Sequence, residues 1–197
     1  MDPTKKFITL RYKNTRKWLK SLSSIENKTS FFQMDSKVRS LRTNKLKRWK
    51  QSREAALFCE GISQRYHRSI DMSIEEDSDY DCVAKWYDKN IEHFTPIQLK
   101  ELVPISLNSK VELQNIISSL SIHYPDSEEL TIAIYINRKI LINFKDIKIP
   151  NNLKVGELWI FGGISQDKTK WFLYGDLLKE PHLSYFFLPR LKVNNTP

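Results

Sequence analysis

The chain has 197 residues, of which 40% are hydrophobic and 12% aromatic, a composition that supports a buried core and excludes a disordered chain. Its formal net charge of +9 points to polyanionic partners, and no run approaches the ~18 consecutive apolar residues a membrane span needs. Cys59 and Cys82 are too few for a disulfide framework or zinc knuckle, and both sit in apolar stretches where reduced thiols are ordinary. The four histidines are scattered without metal-ligand spacing, and the compartment reads as cytoplasmic.

Residues 1–50 hold 15 of the 32 lysines and arginines but only 3 of the 23 acids, a net of +12 that leaves −3 for the remainder. Each cation placed against a phosphate releases a condensed counterion, and interleaved aromatics such as Tyr12, Trp18 and Trp49 offer faces for unpaired bases. Lys17, Lys20, Arg39, Arg42, Lys45, Lys47 and Arg48 are therefore candidate nucleic-acid contacts, with DNA favoured over RNA. The competing readings are a solvated amphipathic segment docked on the domain and a transit peptide, the latter opposed by Asp2. Helices are expected over 14–22 and from 36 to about 49.

Further along, good helix formers with Ala55, Phe58 and Ile62 on one face predict a helix over 52–66. Alternation of Ile70, Met72 and Ile74 predicts a strand over 70–74; an acidic turn over 75–78 and strands over 79–87 and 95–102 are expected to follow. Ser109 to Glu112 has the capping-box pattern, and Leu113, Ile116, Ile117 and Leu120 continue as a helical stripe. The apolar, β-branched run 130–136 predicts a strand covered on both faces of a partly parallel sheet. Beyond it, strands are expected over 140–144, 157–161 and 170–174, with a loose tail from Val193. Trp86, Trp159 and Trp171 read as packing residues, and Asp176 as part of a turn.

Phosphodiester hydrolysis needs a divalent metal on oxygen ligands, a water that can lose its proton and a positive group near the developing charge. Two neighbouring strands can supply these, because side chains two positions apart share a face. Asp81 heads one expected strand, and Gln98 and Lys100 share a face of the next. Lys100 stands among apolar residues, where lysine calls for a role or a partner.

The element order and this motif resemble the PD-(D/E)XK, or restriction-endonuclease-like, family over roughly residues 52–136. The resemblance implies an α/β fold with an αβββαβ core and mixed sheet, here with a basic helical N-terminal arm (1–50) and a β extension (137–192) before a tail (193–197). It implies a Mg²⁺- or Mn²⁺-dependent nuclease in which Asp81 binds the metal, Gln98 is a second ligand or orients one, and Lys100 positions or activates the water. Glu54 is the expected helix glutamate, with Glu60 as alternative; the two lie ~240° apart around a helix. A homodimer is compatible with the family.

Two departures stand out: no proline precedes Asp81, and Gln98 replaces an acid, which lowers the negative charge available to a metal. The same pattern fits a catalytically inactive nucleic-acid-binding or protein-interaction module. Asp79 and Asp81 also invite a nucleotidyltransferase reading, with two carboxylates on one strand. That fold expects a Gly-Ser pair and a third acid, which Gly61-Ile62-Ser63 and the 95–100 strand do not supply.

Overall fold

The computed structural model describes residues 3–26, 33–35, 38, 41–75 and 79–189. In chain order these form α1 (Pro3–Ile8), β1 (Lys13–Asn14), α2 (Thr15–Glu26), a 3-10 turn (Asn44–Leu46), α3 (Lys47–Tyr66), β2 (Asp71–Ser73), β3 (Cys82–Asp88) and β4 (Ile91–Leu102). Then follow α4 (Leu113–His123), β5 (Ser127–Ile136), a second 3-10 turn (Phe144–Asp146), β6 (Val155–Gly163), β7 (Lys170–Gly175) and β8 (His182–Phe187). The strands build one mixed sheet in simple sequence order. β4, β5 and β6 are parallel, and every other neighbouring pair is antiparallel. The protein is thus α/β, and helix, three strands, helix, strand occurs in the expected order from α3 to β5.

Period-two alternation divides the sheet into two apolar faces. Cys82, Ile97, Leu99, Ala133, Tyr135, Trp159 and Phe161 pack with Ala55, Ala56 and Phe58 of α3. Val83, Leu102, Ile132, Ile134, Leu158 and Ile160 pack with Leu113, Ile117 and Leu120 of α4. The run from Leu130 to Ile136 is buried throughout, as a strand covered on both faces must be, and its strand is parallel to both neighbours.

The basic N-terminal segment is built into this body. β1 pairs with β2, Phe7 meets Tyr80 edge-on at 5.7 Å, and Leu19 joins the core on the α3 side. Leu22 and Leu41 are also buried. The division expected at residue 50 falls inside α3, which is continuous from Lys47 to Tyr66. Of the candidate contacts on this segment, Lys17, Lys20, Lys45, Lys47 and Arg48 are exposed, whereas Arg42 turns inward to Glu101. Arg39 lies outside the described residues.

Three expectations change. Residues 140–144 form no strand: they belong to the β5–β6 crossover, where Leu141 is fully exposed and Asn143 accepts from Lys145 N at 3.3 Å to set up the 3-10 turn. The helix α4 starts at Leu113, not at a Ser109 cap. Glu112 is its N-cap, with its backbone N–H donating to Asn115 Oδ1 at 2.9 Å. Arg138 holds the preceding segment in a loop by donating to the carbonyls of Val103, Asn108 and Val111. β8 was not anticipated; Trp171 and Phe186 stack at 6.0 Å where it joins β7.

Candidate functional site

Asp81 stands immediately before β3, tied to β4 by its backbone N–H donating to Ile97 O at 2.9 Å. Its carboxylate is almost fully buried. Oδ1 accepts from Gln51 Nε2 of α3 at 2.8 Å, and Oδ2 accepts from Leu99 N at 2.7 Å and from Gln98 Nε2. The fold therefore brings Asp81 and Gln98, seventeen positions apart, into direct contact. A carboxylate with this many N–H donors is held rigidly in one orientation.

Strand alternation then separates the remaining candidates. Leu99 packs on the α3 side and Leu102 on the α4 side, so Lys100 shares Gln98's face and Glu101 lies on the α3 side. Lys100 Nζ sits 5.0 Å from the Tyr124 ring centroid, just beyond the end of α4, in a cation–π contact. Glu54 sits on α3, three positions from Gln51 and on the opposite side of the sheet from Lys100. The structure thus joins Asp81 with Gln98 and places Glu54 elsewhere.

Glu54 belongs to a second cluster that sequence reasoning missed. Lys50 Nζ lies 3.6 Å from Glu54 Oε1 and also donates to Glu101 Oε2. Glu101 Oε1 accepts from Arg42 Nη2 at 2.5 Å and from Asn137 Nδ2 at 2.6 Å. Burial works to raise the Glu101 pKa, but Lys50, Asn137 and Arg42 together outweigh it and hold the carboxyl below its ordinary value. Glu54 goes the other way. Burial, with Glu101 adding to it against the pull of Lys50, raises its pKa from 4.5 to about 7. Its Oε1 is buried and accepts no hydrogen bond among the described residues.

The signal for this cluster was in the sequence but weak: Glu101 is one residue from Lys100, and Lys50 is four before Glu54 on the same helix face. What the sequence could not give was Asn137, which arrives only when β5 aligns beside β4 with Glu101 opposite Tyr135. Glu60, the alternative helix glutamate, faces neither cluster and binds Arg16 instead. Asp79 is exposed while Asp81 is buried, so the two do not form a matched carboxylate pair.

Among the described residues, no three His, Cys, Asp or Glu side chains converge as a ready metal site. Asp81 Oδ1 and Oδ2 are engaged by Gln51, Leu99 N and the Gln98 amide, and Glu54 stands apart from them beside Lys50. Cys59 and Cys82 are buried free thiols, and burial raises the pKa of both, that of Cys59 to about 12. Among the described residues, no helix is long and apolar enough to cross a membrane. The chain matches no protein-family model, no curated protein and no solved structure.

Proposed function

We propose that the protein is a metal-dependent nuclease of the PD-(D/E)XK type that hydrolyses phosphodiester bonds in nucleic acid, with DNA the favoured substrate. The observation that carries this reading is the contact between Asp81, at the head of β3, and Gln98 of the neighbouring β4, inside a helix, three-strand, helix, strand arrangement. Asp81 and Gln98 would hold Mg²⁺ or Mn²⁺, with the Gln98 amide turned so that its carbonyl faces the ion. When bound, the ion lowers the pKa of a water and neutralises charge on the phosphate.

The protein's own groups do the rest. Gln51 and Leu99 N fix the Asp81 carboxylate in one orientation. Lys100, two positions beyond Gln98 on the same face, is the cation available to an attacking water or to phosphate charge. Glu54, raised to about 7 by burial, lies with Lys50 and Glu101 on the other side of the sheet and takes no part in this step. Water adds to phosphorus, the bridging P–O bond breaks, and the leaving oxygen takes a proton.

A second reading is a nucleic-acid-binding module that keeps the fold without the chemistry. It is favoured by the engagement of both Asp81 oxygens and by Lys100 resting against Tyr124. Cleavage of labelled single- and double-stranded DNA and RNA with Mg²⁺ or Mn²⁺ separates the two. Wild type should cut, and Asp81→Asn should cut about a hundredfold more slowly or worse, as expected for loss of a group that binds or orients a metal. Asn is the informative substitution because Asp81→Ala leaves the buried Leu99 N–H without an acceptor, a loss of about 1–3 kcal/mol of stability. Binding without cutting in wild type would establish the module instead.

A further inference from the structure

A cavity of about 1190 Å³ opens between α2, the C-terminal half of α3 and the end of β8. It is separate from the candidate site: Glu60, at its wall, is six positions beyond Glu54, ~9 Å along α3 and ~240° around it. Its floor is apolar, from Leu19, Leu188 and Pro189, and its rim carries Arg16, Lys20 and Arg68. Small-molecule pockets span ~300–1,000 Å³, so this groove exceeds what a lone inorganic ion would need.

One side chain there is pre-oriented. Glu60 is 2% exposed, and its carboxylate accepts from Arg16 Nε at 2.8 Å, Gln64 Nε2 at 2.7 Å and Thr15 Oγ1 at 3.4 Å. Gln64 is itself fixed to β8, donating to Phe187 O at 2.9 Å and accepting from Phe187 N at 3.1 Å. Arg16 is thereby gripped through Nε from behind, while its side chain stays 70% exposed. Arg16 lines the groove, and among the described residues its two terminal nitrogens have no hydrogen-bond partner, so a planar donor pair remains available there. Lys20 follows one helical turn later, and Arg68 comes from the segment after α3, so cations from two elements converge. Arg16 neutralises Glu60, and Lys20 and Arg68 remain as uncompensated positive charge.

We propose that this groove is a phosphate-binding site that takes a nucleotide unit. Arg16 grips a phosphate through its two terminal nitrogens, Lys20 and Arg68 add charge, and the apolar floor carries the base or sugar. The phosphate can belong to a nucleic-acid strand or to a free nucleotide, since the recognising chemistry is the same. The proposal does not depend on cleavage at Asp81.

The test is fluorescence anisotropy of the full chain with a labelled oligothymidylate, titrated across salt and competed with dTMP or polyglutamate. Lys20→Ala and Arg68→Ala remove exposed side chains and should leave the fold intact. Each should weaken binding several-fold and lower the slope of log affinity against log salt by about one. Arg16→Ala should weaken binding about tenfold or more, as for loss of a charged bidentate contact, with thermal melting run alongside because it leaves Glu60 without its cation. Lys154→Ala, an exposed lysine near β6, makes the same charge change and should alter neither quantity.

Competition by dTMP at concentrations comparable to the oligonucleotide would assign the phosphate to a free nucleotide; competition by the strand alone would assign it to nucleic acid. Wild-type affinity and salt slope in both Lys20→Ala and Arg68→Ala would overturn the site. Displacement by polyglutamate as readily as by oligothymidylate would overturn it in favour of an acidic protein partner. If Arg68→Ala loses binding while wild type never cleaves, the groove stands and the nuclease reading falls. If wild type cleaves and Arg68→Ala and Lys20→Ala bind normally, the reverse holds.

Discussion

Burying a carboxylate like Glu54 ties folding stability to pH. The unfolded chain releases this proton near 4.5, whereas the folded protein holds it until about 7. The native state therefore binds more protons in that window, and stability falls as pH rises from about 4.5 to about 7. The size is of the order of 3 kcal/mol. Glu101 behaves oppositely: its lowered pKa contributes stability that is present above its unfolded value and lost as pH falls through the folded value. The two effects occupy different pH ranges and can be resolved. Glu54→Gln should abolish the decline between about 4.5 and 7 and leave the variant more stable than wild type above pH 7, measured by urea unfolding across pH. An unchanged wild-type slope in the variant would place the titrating group elsewhere.

At the scale of elements, α3 is where most of the consequences meet. One face gives Gln51 to Asp81, another gives Lys50 and Glu54 to Glu101, and its last turns give Glu60 and Gln64 to the groove. At Gly61 this helix packs tightly against Phe186 of β8. A Cβ there would lie 2.9 Å from Phe186 Cε1 and 3.1 Å from Cδ1, and Phe186 is 1% exposed with little room to move. Alanine gains about 1 kcal/mol over glycine in an open helix, while overpacking a core costs about 1–3 kcal/mol. Gly61→Ala should therefore lower the thermal midpoint. A rise would show that Phe186 can shift without loss and that the α3–β8 contact is loose.

For the whole molecule, the N-terminal segment is the decisive case. Phe7 lies in the core on the α4 side, Leu19 in the core on the α3 side, and Leu22 is buried as well; each such burial is worth ~1.5–3 kcal/mol. Removing residues 1–26 should lower the unfolding midpoint substantially and broaden or abolish the cooperative transition, because it strips both faces and the β1 edge. A truncated chain that melts like wild type would instead make the segment a separable arm. Loss of nucleic-acid binding on truncation would not by itself identify a contact surface, which is why the groove is tested by single exposed residues.

The sequence by itself determined the parts governed by local periodicity. The 130–136 run pointed to a strand covered on both sides, being nearly all apolar and rich in β-branched residues. The stripe from Leu113 to Leu120 had helical spacing, and the 70–74 strand alternated. Hence the order from α3 to β5, and the pairing of Asp81 with Gln98, were legible: adjacent antiparallel strands in sequence are adjacent in space. Residues 140–144 defeated the same logic, since a short apolar run looks like a strand even where the chain must cross over between parallel neighbours. Only the tertiary structure decided which helix face meets which strand face. That placed Glu54 with Lys50 and Glu101 instead of Lys100, turned Arg42 inward, and set Glu60 behind Arg16. Periodicity fixes which residues share a face of their own element, but the partner of that face is set by packing between segments far apart in the chain.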